Sequence, residues 1–101
     1  MTRPHLVKHA SYTIAEPLYQ RALRILEQQM GPQHPDVVSP LNNLAALYAK
    51  QGKYAEAEPL FRRALRIWEQ QLGPQHPATQ TVRTNYAVLL RAMGREGGQR
   101  G

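Results

Sequence analysis

The chain has 101 residues, no cysteine, and thirteen Lys/Arg against seven Asp/Glu, for a formal net charge of +6 at pH 7. That length holds one domain with a small core; the missing thiols exclude disulfides and cysteine-ligated metal centres; no apolar run approaches the roughly 18 residues of a membrane span. The basic excess favours acidic partners, and it is equally the mark of a solvated surface.

The opening "MTRPHLVKHA" lacks the apolar stretch of about 7–15 residues that a secretory signal needs, so a cytoplasmic protein is expected. Pro4 and the neighbouring charges speak against a helix there, and residues 1–11 are expected to form a flexible tail. A first helix is predicted over 13–30, where Ala15, Leu18, Tyr19, Ala22, Leu23, Leu26 and Met30 recur at helical spacing. Gly31 then offers a left-handed residue to close the last turn, and Pro35 suits the first turn of the next helix. That second helix, 35–51, carries Val37, Val38, Leu41, Leu44, Ala45, Leu47 and Tyr48, and Gly52 makes a tight turn after it. A third, 54–72, bears the stripe Ala57, Leu60, Phe61, Ala64, Leu65, Trp68 and Leu72, ending at Gly73. A weaker fourth, 77–94, reads through Val82, Tyr86, Ala87, Leu89, Leu90 and Met93, with 96–101 expected to be a second flexible tail. Pro17 and Pro59 are expected to fall early in their helices, where a proline costs at most one hydrogen bond. No segment alternates apolar and polar residues for long, so the fold is predicted to be all-α.

The first and third helices share a phrase. "AEPLYQRALRILEQQMGPQHP" (15–35) and "AEPLFRRALRIWEQQLGPQHP" (57–77) differ only at Tyr19/Phe61, Gln20/Arg62, Leu26/Trp68 and Met30/Leu72, so the repeat period is 57 − 15 = 42 residues. Asn43/Asn85, Ala45/Ala87, Leu47/Leu89 and Gly52/Gly94 continue the match. A period of this kind marks a solenoid, in which each unit covers the apolar face of its neighbour.

The segment 41–67 carries Leu44-Ala45, Tyr48, Gly52-Lys53-Tyr54, Ala57, Phe61 and Ala64-Leu65 in that order, and this resembles the tetratricopeptide repeat. The longer period and the Gly-Pro-Gln-His-Pro linker look like the kinesin-light-chain type of that family. The resemblance covers about residues 12–95 and implies an α-solenoid of antiparallel helix pairs, about two repeats. Two departures stand out: "MTRPHLVKHA" occupies the place of a first inner helix, and the last unit supplies one helix before "REGGQRG". The chain is therefore expected to be a fragment or a short member that self-assembles. Leu18, Leu23 and Ile25 are expected to be left bare at its N-terminal edge, and a homo-oligomer is the expected consequence.

For chemistry the sequence offers no phosphate loop, no His-Glu-x-x-His helix and no cysteine nucleophile, so no enzyme and no cofactor is expected. His34 and His76 occupy equivalent linkers near helix starts; a metal site would need further ligands, and the reading preferred is an ordinary linker histidine. The resemblance implies that the inner helices line a groove in which an asparagine amide bonds the backbone of an extended peptide. It carries that role to Asn43 and Asn85, with Asn42 beside them and Lys50 and Arg91 placed to meet carboxylates. Arg21, Arg24, Arg62, Arg63 and Arg66 admit a nucleic-acid reading, but Glu16, Glu27, Glu58 and Glu69 are interleaved with them and no aromatic is free for base stacking. Helix-pair spacing predicts Glu58–Arg62 and Arg66–Glu69 contacts. The function expected is protein–protein interaction through an acidic, extended peptide. Self-assembly without a ligand is the alternative, and weak nucleic-acid binding comes after it.

Overall fold

A computed structural model describes residues 4–98, with side chains described over 12–94. Four α-helices follow in order: α1 (Pro4–Met30), α2 (Val38–Lys50), α3 (Tyr54–Leu72) and α4 (Pro77–Gly98), with a 3-10 turn (Pro35–Val37) leading into α2. No strand occurs among the described residues. Each helix packs on the next in sequence, and the thinnest dimension, 22 Å, equals about two helix diameters. This is a two-layer stack of antiparallel helices, the α-solenoid expected from the period.

Helix ends follow the punctuation closely, with one addition. Gly31 and Gly73 adopt φ of 93° and 86° and return their N–H groups to the Glu27 and Glu69 carbonyls at 2.9 and 3.1 Å, which a residue with a Cβ would do only under strain. The addition is at the following helix start. The His34 Nδ1 accepts the Asp36 N–H at 3.1 Å, and the His76 Nδ1 accepts the Ala78 N–H at 3.0 Å. Both linker histidines thus serve as side-chain caps for N–H groups that have no partner inside the helix.

Both outer boundaries are corrected. The first helix starts at Pro4, nine residues before the expected 13, and α4 runs on to Gly98. Pro4 occupies a first-turn position that needs no N–H, and no glycine or proline interrupts the chain from there to Pro17. Residues 4–11 and 96–98 of the two expected tails are consequently helical, while 1–3 and 99–101 lie outside the described residues. The side chains of His5 and His9 also lie outside them. The earlier start moves Pro17 to the interior of α1, not its first turns, whereas Pro59 stays early in α3.

Packing separates the four helices by how many neighbours each one has. On α2 and the 3-10 turn before it two adjoining stripes are buried, Val37/Pro40/Leu44/Leu47 and Val38/Leu41/Ala45. The positions 42 residues later explain the division. In α4, which has one packing partner, the counterparts Thr79, Val82, Tyr86 and Leu89 are buried or half-buried, while Gln80, Arg83 and Ala87 are exposed. The first stripe therefore faces the outer helix before it, and the second faces the outer helix after it. On α3, Ala57, Phe61, Ala64 and Ile67 are buried, and Leu60 is half-buried. Ile67, fully buried, was absent from the predicted stripe, and Leu72, which belonged to it, is 39% exposed at the frayed end. Trp68 is partly buried against the core, where its carbonyl accepts the Thr79 hydroxyl at 3.3 Å.

The N-terminal edge divides. Leu18 and Ile25 are 58% and 44% exposed, but Leu23 is corrected from bare to buried, at 8%. Leu23 lies toward α2 and joins the main cluster with Leu41, Leu44 and Ile67, whereas Leu18 and Ile25 lie on the other side of the α1 stripe.

Leu41→Ala should accordingly destabilise by about 2–5 kcal/mol, while Leu18→Ala should stay within about 0.5 kcal/mol of the parent; urea unfolding followed by circular dichroism measures both. His34→Ala and His76→Ala should each cost about 1 kcal/mol in the same assay, and asparagine at either position should restore most of it. An equal loss with asparagine would show that the ring, and not the cap, matters.

Candidate functional site

Among the described residues, an apolar recess with convergent polar groups lies between α2 and α4. It is a groove of about 480 Å³ whose floor includes Ala46, Ala49, Phe61, Val88, Leu89 and Ala92. Tyr54, Lys50, Asn42 and Asn85 complete its lining. Ala46, Ala49 and Ala92 carry short side chains where α2 and α4 face each other, and this leaves the space that a groove requires. Among the described lining residues there is one cation and no anion.

Of the five residues expected to bind a ligand, Asn42, Lys50 and Asn85 come together around this groove. Asn43 and Arg91 are exposed and stand outside its lining. The reason lies in the 42-residue register. Asn43 is the counterpart of Asn85, and Asn85 meets the groove on the edge of α4 that faces α2. The same edge of α2 faces away from α4, and no inner helix covers that side among the described residues. Asn42, one residue earlier, lines the groove instead. Its Oδ1 is shielded from solvent and has no hydrogen-bond partner. An unsatisfied acceptor of that kind costs about 1–3 kcal/mol.

The walls are held in place by paired polar contacts between outer and inner helices. Gln20 of α1 donates to the Glu16 carboxylate at 3.3 Å and to the Tyr48 hydroxyl at 2.9 Å. In the second copy Glu58, the counterpart of Glu16, receives Arg62 at 3.2 Å and also the Tyr86 hydroxyl of α4. The hydrogen bond to Glu58 is the main reason that the Tyr86 pKa is raised above 10.0; burial and the repulsion of the Glu58 charge add to it, and Arg62 opposes it. Lys53 lies 6.0 Å from the centre of the Tyr48 ring, a cation–π distance.

A third set of contacts ties the linkers. Arg63 of α3 donates to Glu27 at 2.5 Å and to the Pro32 carbonyl at 3.0 Å. The counterparts Glu69 and Pro74 receive Arg83 of α4, at 3.0 and 3.3 Å. Glu58–Arg62 is the helix pair expected from spacing, but Glu69 pairs with Arg83 and not with Arg66. The interhelix tie is absent from any local sequence pattern, since its partners lie fourteen residues apart across a linker.

Among the described residues no group of three or more His, Cys, Asp or Glu is placed to hold a metal ion, and no helix is long and apolar enough to cross a membrane.

Tyr86→Phe checks the Glu58 contact. Because the folded-state pKa of Tyr86 is raised, its contribution to stability is complete below the unfolded pKa near 10 and is lost as pH rises through the folded value. Unfolding free energies of parent and variant should therefore differ at neutral pH and converge above pH 10. A gap that stays constant through the alkaline range would mean the hydroxyl is not bonded to Glu58.

Against known proteins, a search of curated sequences gives no match to the chain, whereas the family model described as "Tetratricopeptide repeat" matches twice, over residues 10–70 and 36–97. The two overlapping matches cover the stacked helices and the groove together, and with the antiparallel two-layer packing they place this chain in the tetratricopeptide repeat family.

Proposed function

We propose that the chain binds an extended, acidic peptide segment of a partner protein in the groove between α2 and α4. Tetratricopeptide repeats generally mediate protein–protein interaction, and the groove gives that general role a chemistry. The observation that carries the proposal is the lining itself, in which the side-chain amides of Asn42 and Asn85 and the Lys50 cation stand around one apolar groove. A peptide backbone presents N–H and C=O groups in alternation, and two side-chain amides supply the complementary acceptor and donor. Lys50, the one cation of the lining, favours a carboxylate, and the net charge of +6 steers acidic partners toward the surface. The 42-residue period and the Gly-Pro-Gln-His-Pro linkers support placing the chain with the kinesin-light-chain type of repeat.

The nucleic-acid reading finds less support. Arg62, Arg63 and Arg83 are each engaged by a glutamate of the same chain, so the basic stripes are partly neutralised where they are densest.

The test compares an extended Glu/Leu peptide with its Gln/Leu counterpart by isothermal titration. Binding of the acidic peptide should be the tighter and should weaken from low to physiological salt, over which the Debye length shortens to about 8 Å. Asn42→Ala should lower affinity by roughly 1–3 kcal/mol while leaving thermal stability unchanged or slightly raised, because it removes an unsatisfied polar atom. Equal, salt-independent binding of both peptides would sink the acidic preference. A destabilised Asn42→Ala variant with unaltered affinity would make Asn42 structural.

A further inference from the structure

The two outward faces of the stack are complementary, although neither takes part in the groove. α3 seats on α2 through Leu60, Ala64 and Ile67, and Arg63 beside them reaches Glu27 and the Pro32 carbonyl of the preceding unit. Forty-two residues earlier, α1 carries Leu18, Ala22, Ile25 and Arg21, identical in type to Leu60, Ala64, Ile67 and Arg63. All four are exposed. α1 therefore presents, uncovered, a copy of the surface with which α3 docks.

The other end presents the matching receptor in a modified form. Ala87 of α4 repeats Ala45, and Leu90 stands where α2 has Tyr48; both are exposed. Glu69 and the Pro74 carbonyl repeat the acceptor pair Glu27 and Pro32. Arg83, standing where α2 has the fully buried Leu41, folds onto that pair and fills the position that Arg63 fills in the first unit. The Arg83 and Glu69 side chains are 44% and 41% exposed, so this bridge is weak and open to exchange.

We infer that a second copy of the chain docks its α1 on α4, with Arg21 of one copy displacing Arg83 from Glu69 and Pro74 of the other. The contact repeats the α2–α3 interface between chains. Being head-to-tail, it leaves a free edge at each end of a dimer, so association continues past two copies. The occupant is a second copy because the required elements, an apolar stripe with its flanking arginine and an acceptor pair beside small residues, are both present on this one chain. Gln80 and Arg83 in place of Val38 and Leu41 make the docking weaker than its intrachain template.

Sedimentation equilibrium from micromolar to millimolar protein should show a mass that climbs beyond the dimer. Leu18→Glu and Leu90→Glu, both at exposed positions, should each give a folded monomer by circular dichroism, because each destroys one edge. Mixed together, the two variants retain one good edge apiece and should form a 1:1 dimer that grows no further. Arg83→Leu should tighten association about tenfold, or 1.4 kcal/mol, by freeing the acceptor pair and restoring the leucine; adding Arg21→Glu should reverse it. A strict monomer at all concentrations overturns the inference. So does a dimer that persists in Leu90→Glu, which would pair α1 with α1, or an Arg83→Leu variant whose mass curve does not move. The groove residues Asn42, Lys50 and Asn85 are untouched in every variant, so peptide binding reports separately on the function proposed above.

Discussion

Two buried stripes on one short helix organise this molecule: α2 buries Leu44 and Leu47 along one line and Leu41 and Ala45 along the next, and an outer helix is needed against each line to keep water away. With only thirteen residues, α2 has little propensity to stand alone, since isolated helices of that length are marginal in water. Its stability comes from being sandwiched between α1 and α3. Once that sandwich forms, the direction of the stack is determined, and α4 takes its place on the far side of α3. The groove is a by-product of the same constraint. α2 and α4 both pack on α3, and the short side chains of Ala46, Ala49 and Ala92 leave a recess between them with polar residues in its lining.

The polar contacts show how one phrase acquires two sets of partners. Glu16, Glu27 and Pro32 recur as Glu58, Glu69 and Pro74, and each acceptor is used in both copies. The donors differ. Tyr48 is reached from Gln20 in the first unit, whereas Tyr86 itself donates to Glu58 in the second. Arg63 comes from the following outer helix, and Arg83 from the inner helix alongside. Such half-exposed pairs contribute little to stability individually. Their value is geometric: they set the lateral position of each inner helix on its outer neighbour, and so the width of the groove. On α4 an arginine at the place of Leu41 keeps the acceptors occupied.

Much of this was legible in the residues themselves. Apolar spacing at three and four located all four helices, glycines and prolines located the turns, and the 42-residue echo implied stacking, because identical outer helices must meet similar inner ones. These are local or periodic signals, and a chain with few competing signals obeys them. The N-terminal boundary was misjudged because Pro4 was weighed as a breaker, although at a first-turn position it is compatible with helix.

Which side of each stripe is buried, by contrast, was decided by the neighbours. Leu18 and Leu23 belong to one periodic set, yet one is bare and the other in the core, because periodicity defines a face wider than the single contact available to α1. Ile67 is buried and its counterpart Ile25 is not, for the same reason. The choice of Asn42 over Asn43 at the groove turns on about 100° of rotation about the α2 axis, and that rotation is set by how α2 rests on α1 and α3. The capping histidines likewise required coordinates, since a ring nitrogen finds a backbone N–H only when the linker has already folded. The sequence determined the elements, their period and their family; tertiary packing decided which residues of each element meet water, a neighbour or the groove, because exposure is a property of pairs of surfaces and not of either one alone.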